Sequence, residues 1–131
     1  MVLLDVRDLR TYFFLDSNRV VKAVDRVSIK LDAGESLGLA GESGCGKSTL
    51  GYSILHSVPR PGKIVGGSII FEGEDITKKS EEWIRKNYRW AKVSMIFQGA
   101  MNSLNPVLTV GNQLAEPLVY HKGMTYREAR K

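Results

Sequence analysis

The chain has 131 residues, 43% of them hydrophobic and 25% charged, with a formal net charge of +5. That length supports one domain with a core, and Lys and Arg fall in ones and twos as on a solvated surface, which excludes a basic nucleic-acid or membrane tail. The single cysteine, Cys45, excludes an internal disulfide and a Cys-cluster metal site, and no apolar run approaches the roughly 18 residues that would suggest a bilayer span. Charges at Asp5, Arg7 and Asp8 come too early for a signal peptide, so a soluble or peripheral protein is expected.

Residues 2–14 alternate loosely and are rich in Val, Leu, Tyr and Phe, which predicts a strand. Asp16, Ser17 and Asn18 supply a turn. Residues 20–31 alternate more cleanly, with Val20, Ala23 or Val24, Val27, Ile29 and Leu31 as inward positions. After a turn at 32–35, residues 36–40 (Ser-Leu-Gly-Leu-Ala) read as a further β run.

Residues 41–49 follow: Gly41-Glu42-Ser43-Gly44-Cys45-Gly46-Lys47-Ser48-Thr49, which fits G-x-x-x-x-G-K-[ST]. A helical pattern comes next through Leu50, Ile54, Leu55 and Val58. Strand, glycine loop and helix form the context this motif requires. Glycines let successive N–H groups point at one anion, and the helix adds its unpaired first-turn donors and positive dipole end. Lys47 is expected to reach the β- and γ-phosphates of a nucleoside triphosphate, and the Ser48 hydroxyl to ligate Mg²⁺. By accident the pattern arises in about one chain in two hundred of this length, so the flanking elements matter. Cys45 is a small filler of the loop, beside helix N–H groups of the kind that lower a thiol pKa.

Pro59-Arg60-Pro61-Gly62 breaks the chain, and residues 68–71 with the turn after them read as a short edge strand. Residues 80–90 open on Ser80 and two acids, which predicts a helix with Trp83, Ile84, Tyr88 and Trp90 on one core-packing face. Residues 92–97 (Lys-Val-Ser-Met-Ile-Phe) read as a buried strand and 98–108 as a loop. A helix from Thr109 through Val110, Leu114 and Leu118 ends near His121-Lys122-Gly123, with Pro117 expected to kink or shorten it. Thr125-Tyr126-Arg127-Glu128 is a capping box that starts one more helix just before the chain stops, so a fragment of something longer is expected.

At Gln98 the chain resembles a family. Ile96-Phe97-Gln98, about fifty residues after Lys47, followed by Gly99-Ala100-Met101-Asn102-Ser103-Leu104-Asn105-Pro106, looks like the Q-loop of an ABC transporter ATPase subunit. The Ser-Leu-Asn-Pro tail, Thr109-Val110-Gly111-Asn112-Gln113 with Glu116, the phosphate-loop form and residues 22–28 are similar to its oligopeptide/dipeptide permease branch. The resemblance covers the whole length. It implies an α/β fold: the P-loop NTPase core of an ABC ATPase, truncated, with an N-terminal antiparallel β subdomain and the beginning of the helical subdomain. Residues 1–101 would form the nucleotide-binding part and 102–131 the start of the helical part.

The resemblance further implies ATP and Mg²⁺ as cofactors, held by Gly41, Ser43, Gly44, Cys45, Gly46, Lys47, Ser48 and Thr49. Lys47 and Gln98 would be catalytic, with Gln98 and Ser48 at the metal. Phe13 would stack on adenine when the chain is aligned from the first strand; counting back from Lys47 leaves Tyr12 and Phe14 open, and a plain core aromatic equally so. The partners implied are a second ABC ATPase subunit and transmembrane permease subunits, met through the helical subdomain at the cytoplasmic face of the membrane; no nucleic acid is expected. The function implied is ATP binding and hydrolysis to power uptake of peptides or a similar solute. A soluble ABC ATPase on nucleic acid or ribosomes, a small-molecule kinase and an inactive nucleotide-binding fragment are the alternatives.

The departures are omissions. No Walker B strand with a catalytic Glu, no Leu-Ser-Gly-Gly-Gln signature and no switch histidine is present; His56 and His121 sit in other contexts. The 131 residues are therefore expected to bind ATP–Mg²⁺ weakly and turn it over negligibly. A phosphate-release assay checks this, and hydrolysis abolished by Lys47→Ala would refute it.

Overall fold

The computed structural model describes residues 1–99 and 103–131, in two compact units, Met1–Ile84 and Arg85–Lys131. Ala100, Met101 and Asn102, part of the Q-loop stretch and of the expected 101/102 boundary, lie outside the described residues.

The first unit is built on a long hairpin. β1 (Val2–Asp16) and β2 (Arg19–Asp32) pair antiparallel; β3 (Gly62–Phe71) pairs with the other side of β1, and the two-residue β4 (Glu74–Asp75) adds to β3. The order is β2-β1-β3-β4. Helix α1 (Lys47–Ile54) contacts β1 and β2.

The sequence of β1 hides how it packs. Val6 and Leu9 are three apart, which plain alternation would put on opposite faces, yet both are buried. Asp8 at φ 47 makes a β-bulge, and the register shifts between Val6 and Leu9. The bulge returns Leu4, Val6, Leu9, Thr11 and Phe13 to one face and leaves Asp5, Arg7, Tyr12 and Phe14 on the other. Opposite Asp8, Gly67 has φ +83, and a Cβ there would lie 2.4 Å from the Asp8 carbonyl oxygen. Only glycine fits that crossing. The core gathers Leu4, Val6, Leu9, Val24, Leu50, Leu55, Ile69, Ile76 and Ile84, and each fully buried aliphatic side chain contributes about 1.5–3 kcal/mol. On the far face Asp5 accepts from Arg7 Nη2 at 2.6 Å, and that bond holds its carboxyl below the usual range.

Several elements differ from expectation. Residues 36–40 form no strand, and Leu37 and Leu39 are exposed. Residues 92–97 contribute only an isolated bridge, Arg89 to Val93. Apolar runs become strands only where a ladder extends alongside, and among the described residues neither run belongs to a strand of the sheet. The short edge strand expected at 68–71 is the end of the ten-residue β3, which starts directly after the Pro-rich breaker. α1 stops at Ile54, its C-cap Leu55 still packed in the core, rather than reaching Val58. In β2 the buried residue is Val24, while Val20 is exposed.

α2 (Glu81–Asn87) starts where Ser80 Oγ accepts from Trp83 N–H at 3.2 Å, with Glu81 and Glu82 in its first turn. Ile84 and Tyr88 are buried as the stripe requires, but Trp90 lies beyond the helix at φ 63 and is exposed. In the second unit α3 (Val110–Lys122) runs from a Thr109 cap to Gly123 at φ 66, and continues past Pro117 rather than stopping at it. Its Val110, Leu114 and Leu118 are exposed, leaving Ala115 as its buried residue. Gln113 clasps the preceding loop: its Oε1 accepts from Asn105 N–H at 2.7 Å, and its Nε2 donates to the Asn105 and Leu108 carbonyls. α4 (Tyr126–Ala129) opens on the expected capping box of Thr125 and Glu128.

The bulge gives a test. Gly67→Ala is expected to cost about 2–4 kcal/mol, strain plus clash, whereas Gly34→Ala, also at φ +83 but with nothing within 4 Å, costs about 1 kcal/mol. Urea unfolding of the two variants measures the difference.

Candidate functional site: a glycine loop at the start of a helix

Residues 41–46 lead straight into α1, whose N-cap is Gly46 at φ 100. This start is jammed against the sheet. A Cβ at position 46 would lie 2.1 Å from the Ala23 carbonyl oxygen, so a glycine is the only residue that lets the helix begin there. Ala23 itself stands where the β1–β2 register shifts from Thr11↔Val24 to Tyr12↔Lys22, and the displaced backbone brings its carbonyl to the loop. Gly44 is a second left-handed position, at φ +80. Cys45 N–H donates to the Glu42 carbonyl at 3.3 Å and tightens the turn.

Lys47, the first residue of α1, folds back across the loop. Its Nζ donates to the Gly41 and Glu42 carbonyls, 2.6 Å each, and lies 3.3 Å from Cys45 Sγ. Helix geometry leaves the first-turn N–H groups of α1 without intrahelical acceptors, and no acidic side chain stands in that turn to offset the positive dipole end. Ser48 is exposed in the same turn of the helix, and Ser43 and Gly44 form an exposed turn of the loop. A lysine ammonium, glycine-enabled N–H groups and a bare helix start make an anion site, and the chemistry of that donor set fits a polyphosphate with its divalent cation. The site is a surface cradle: the ≈ 510 Å³ cavity of this unit is lined by His56, Val58, Ile64 and Glu81, among others, and by none of residues 41–49.

The structure separates the three candidate aromatics. Tyr12 donates its hydroxyl to Asp25 Oδ1 at 2.6 Å with Lys22 over its ring, and Phe14 lies beneath Lys63; both stand on the face away from Thr11. Phe13 is on the face of Thr11, half-buried, its ring close enough to Gly62 that a Cβ there would sit 2.7 Å from it. Gln98 belongs to the second unit and is exposed, in a turn with Gly99 at φ 81. Two polar residues absent from the sequence-based site lie behind the loop: Thr11 and Ser53, both fully buried and bonded to each other. Only their placement on adjoining elements, invisible in the sequence, reveals them.

The fold is that of an ATP-binding cassette. The dimeric post-hydrolysis structure of the cassette MJ0796 bound to ADP and Pi superposes with a TM-score of 0.79 over 98% of this chain and 53% of that one, at 21% identity. A second structure, the dimeric bacterial ABC transporter cassette MJ0796, gives 0.78 at 22% identity. Residues 24–131 match the ABC transporter family, and the chain belongs to it. It is 48% identical over 130 residues to the oligopeptide transport ATP-binding protein AppD of Bacillus subtilis, and 43% over 131 residues to the dipeptide transport ATP-binding protein DppD of Haemophilus influenzae. It spans 39% of the length of each of these relatives.

The loop makes Cys45 a reporter. The Lys47 hydrogen bond holds its thiol below the ordinary range, so thiolate is present at lower pH than in a free cysteine. Lys47→Met is expected to move the midpoint of the iodoacetamide rate–pH profile upward; an unmoved midpoint would show that the contact is not kept in solution.

Proposed function

We propose that residues 41–49 bind the triphosphate of ATP with Mg²⁺, and that the chain is part of the ATP-binding subunit of an importer for peptides or a similar solute. The observation that carries the binding site is Gly46 seated on the Ala23 carbonyl with Lys47 folded over the loop. Gly41, Ser43, Gly44, Cys45, Gly46 and Thr49 supply backbone around the phosphates, and Lys47 exchanges its carbonyl acceptors for phosphate oxygens. Ser48 and Gln98 are the residues that would hold Mg²⁺, and Gln98 would orient the attacking water. The cation, when bound, neutralises charge developing on the phosphates. Phe13 is the aromatic that stacks on adenine, since it shares a sheet face with Thr11 and the α1 side, whereas Tyr12 and Phe14 do not.

The solute class follows from AppD and DppD, transport ATP-binding proteins for oligopeptides and dipeptides, 48% and 43% identical to this chain. A second ATPase subunit and transmembrane permeases are the partners, the latter met through residues 102–131, with residues 1–101 as the nucleotide-binding part, at the cytoplasmic face of the membrane. No helix among the described residues is long and apolar enough to cross a membrane.

Lys47→Ala is expected to weaken MgATP binding by about ten- to a hundredfold, the worth of charge-assisted hydrogen bonds. Displacement of a fluorescent ATP analogue measures it, and equal affinity in the variant would remove the phosphate role of Lys47.

A further inference from the structure

Behind the loop lies a buried chain of hydroxyls. Thr11 Oγ1 and Ser53 Oγ are 2.7 Å apart, and neither residue is solvent-accessible. Ser53 Oγ also donates to the Thr49 carbonyl at 2.7 Å. A serine hydroxyl has one proton, and Ser53 commits it to Thr49, so the proton between the two hydroxyls belongs to Thr11. The chain therefore has a direction: Thr11 donates to Ser53, and Ser53 to Thr49.

Its two ends matter. Thr11 lies two residues before Phe13 on the same face of β1, and Thr49 closes the glycine-loop motif. Leu50 and Leu55 add apolar burial, in a core that also holds Leu9 and Val24. Apolar burial is non-directional and holds a helix on a sheet without fixing where along the strand it rests. A hydrogen bond weakens steeply as its geometry departs from ideal, and a buried one has no water to replace it.

We propose that Thr11 and Ser53 are positioning residues that set the spacing between a base platform at Phe13 and the phosphate loop at 41–49; this rests on the ATP-binding role proposed above. The pair acts with the Gly46–Ala23 contact. One fixes where α1 begins, and the other fixes where its second turn lies against β1. A nucleotide that touches both platform and loop is sensitive to that spacing, and a bare polyphosphate, which touches only the loop, is not.

The test uses the whole chain and two probes, MgATP and magnesium tripolyphosphate, titrated calorimetrically. Removing one hydroxyl strands its buried partner and risks the fold, so the main variant is Thr11→Val with Ser53→Ala, an apolar pair that leaves no orphan. It is expected to lose about three- to tenfold in MgATP affinity, the worth of about one hydrogen bond, with tripolyphosphate affinity within about twofold of wild type. Thr11→Ser keeps the hydroxyl and is expected to bind MgATP as wild type does. An equal loss for both probes would make the pair a merely structural support of the loop and overturn the proposal, as would unchanged MgATP affinity. Wild-type chain that binds neither probe overturns the phosphate role of residues 41–49 itself, and the spacing role with it.

Discussion

The carbonyl of Ala23 leaves no room for a side chain at residue 46, and much of the first unit follows from that contact. It fixes the start of α1 to one point on β2. From there Leu50 and Leu55 enter the core, and Ser53 meets Thr11. The strand that supplies the carbonyl is itself out of regular step at Ala23, so an irregularity in the sheet is what makes the loop possible.

The loop is also tied across by its own lysine. Lys47 spends its ammonium on two carbonyls of residues 41 and 42, groups an exposed turn otherwise leaves to water. These contacts brace the loop from within, and a braced loop lowers the ordering cost that any ligand must meet. No carboxylate stands in the first turn of α1 to offset its positive dipole end.

What the sequence disclosed was what is local. The glycine loop, the helix after it, the hairpin strands, the Thr109 cap with Gly123 at the far end, and the Thr125–Glu128 box depend on near neighbours, and each could be placed from residue types. Long-range facts could not. Residues 36–40 and 92–97 carry β-type composition, but strand formation is settled by what lies alongside. Which of Tyr12, Phe13 and Phe14 shares a face with Thr11 turned on the bulge at Asp8, which shifts every later side chain by a face. The apolar positions Val110, Leu114 and Leu118 repeat as a core stripe would, yet they are exposed. Thr11 and Ser53 gave no signal because an isolated hydroxyl residue has no period, and their meaning lies in a contact across 42 positions.

The outer side of β3 has one more consequence. β4 pairs only with Ile70 and Phe71, so among the described residues no strand pairs with the outer side of β3 from Gly62 to Ile69. A regular rim of that kind is a template on which another molecule can add a strand, and so a route to aggregation. Here the left-handed turn at Gly67 breaks the repeat and exposed Lys63 places a charge beside it. The glycine that admits the Asp8 bulge thus also interrupts the regular edge on the far side of its own strand.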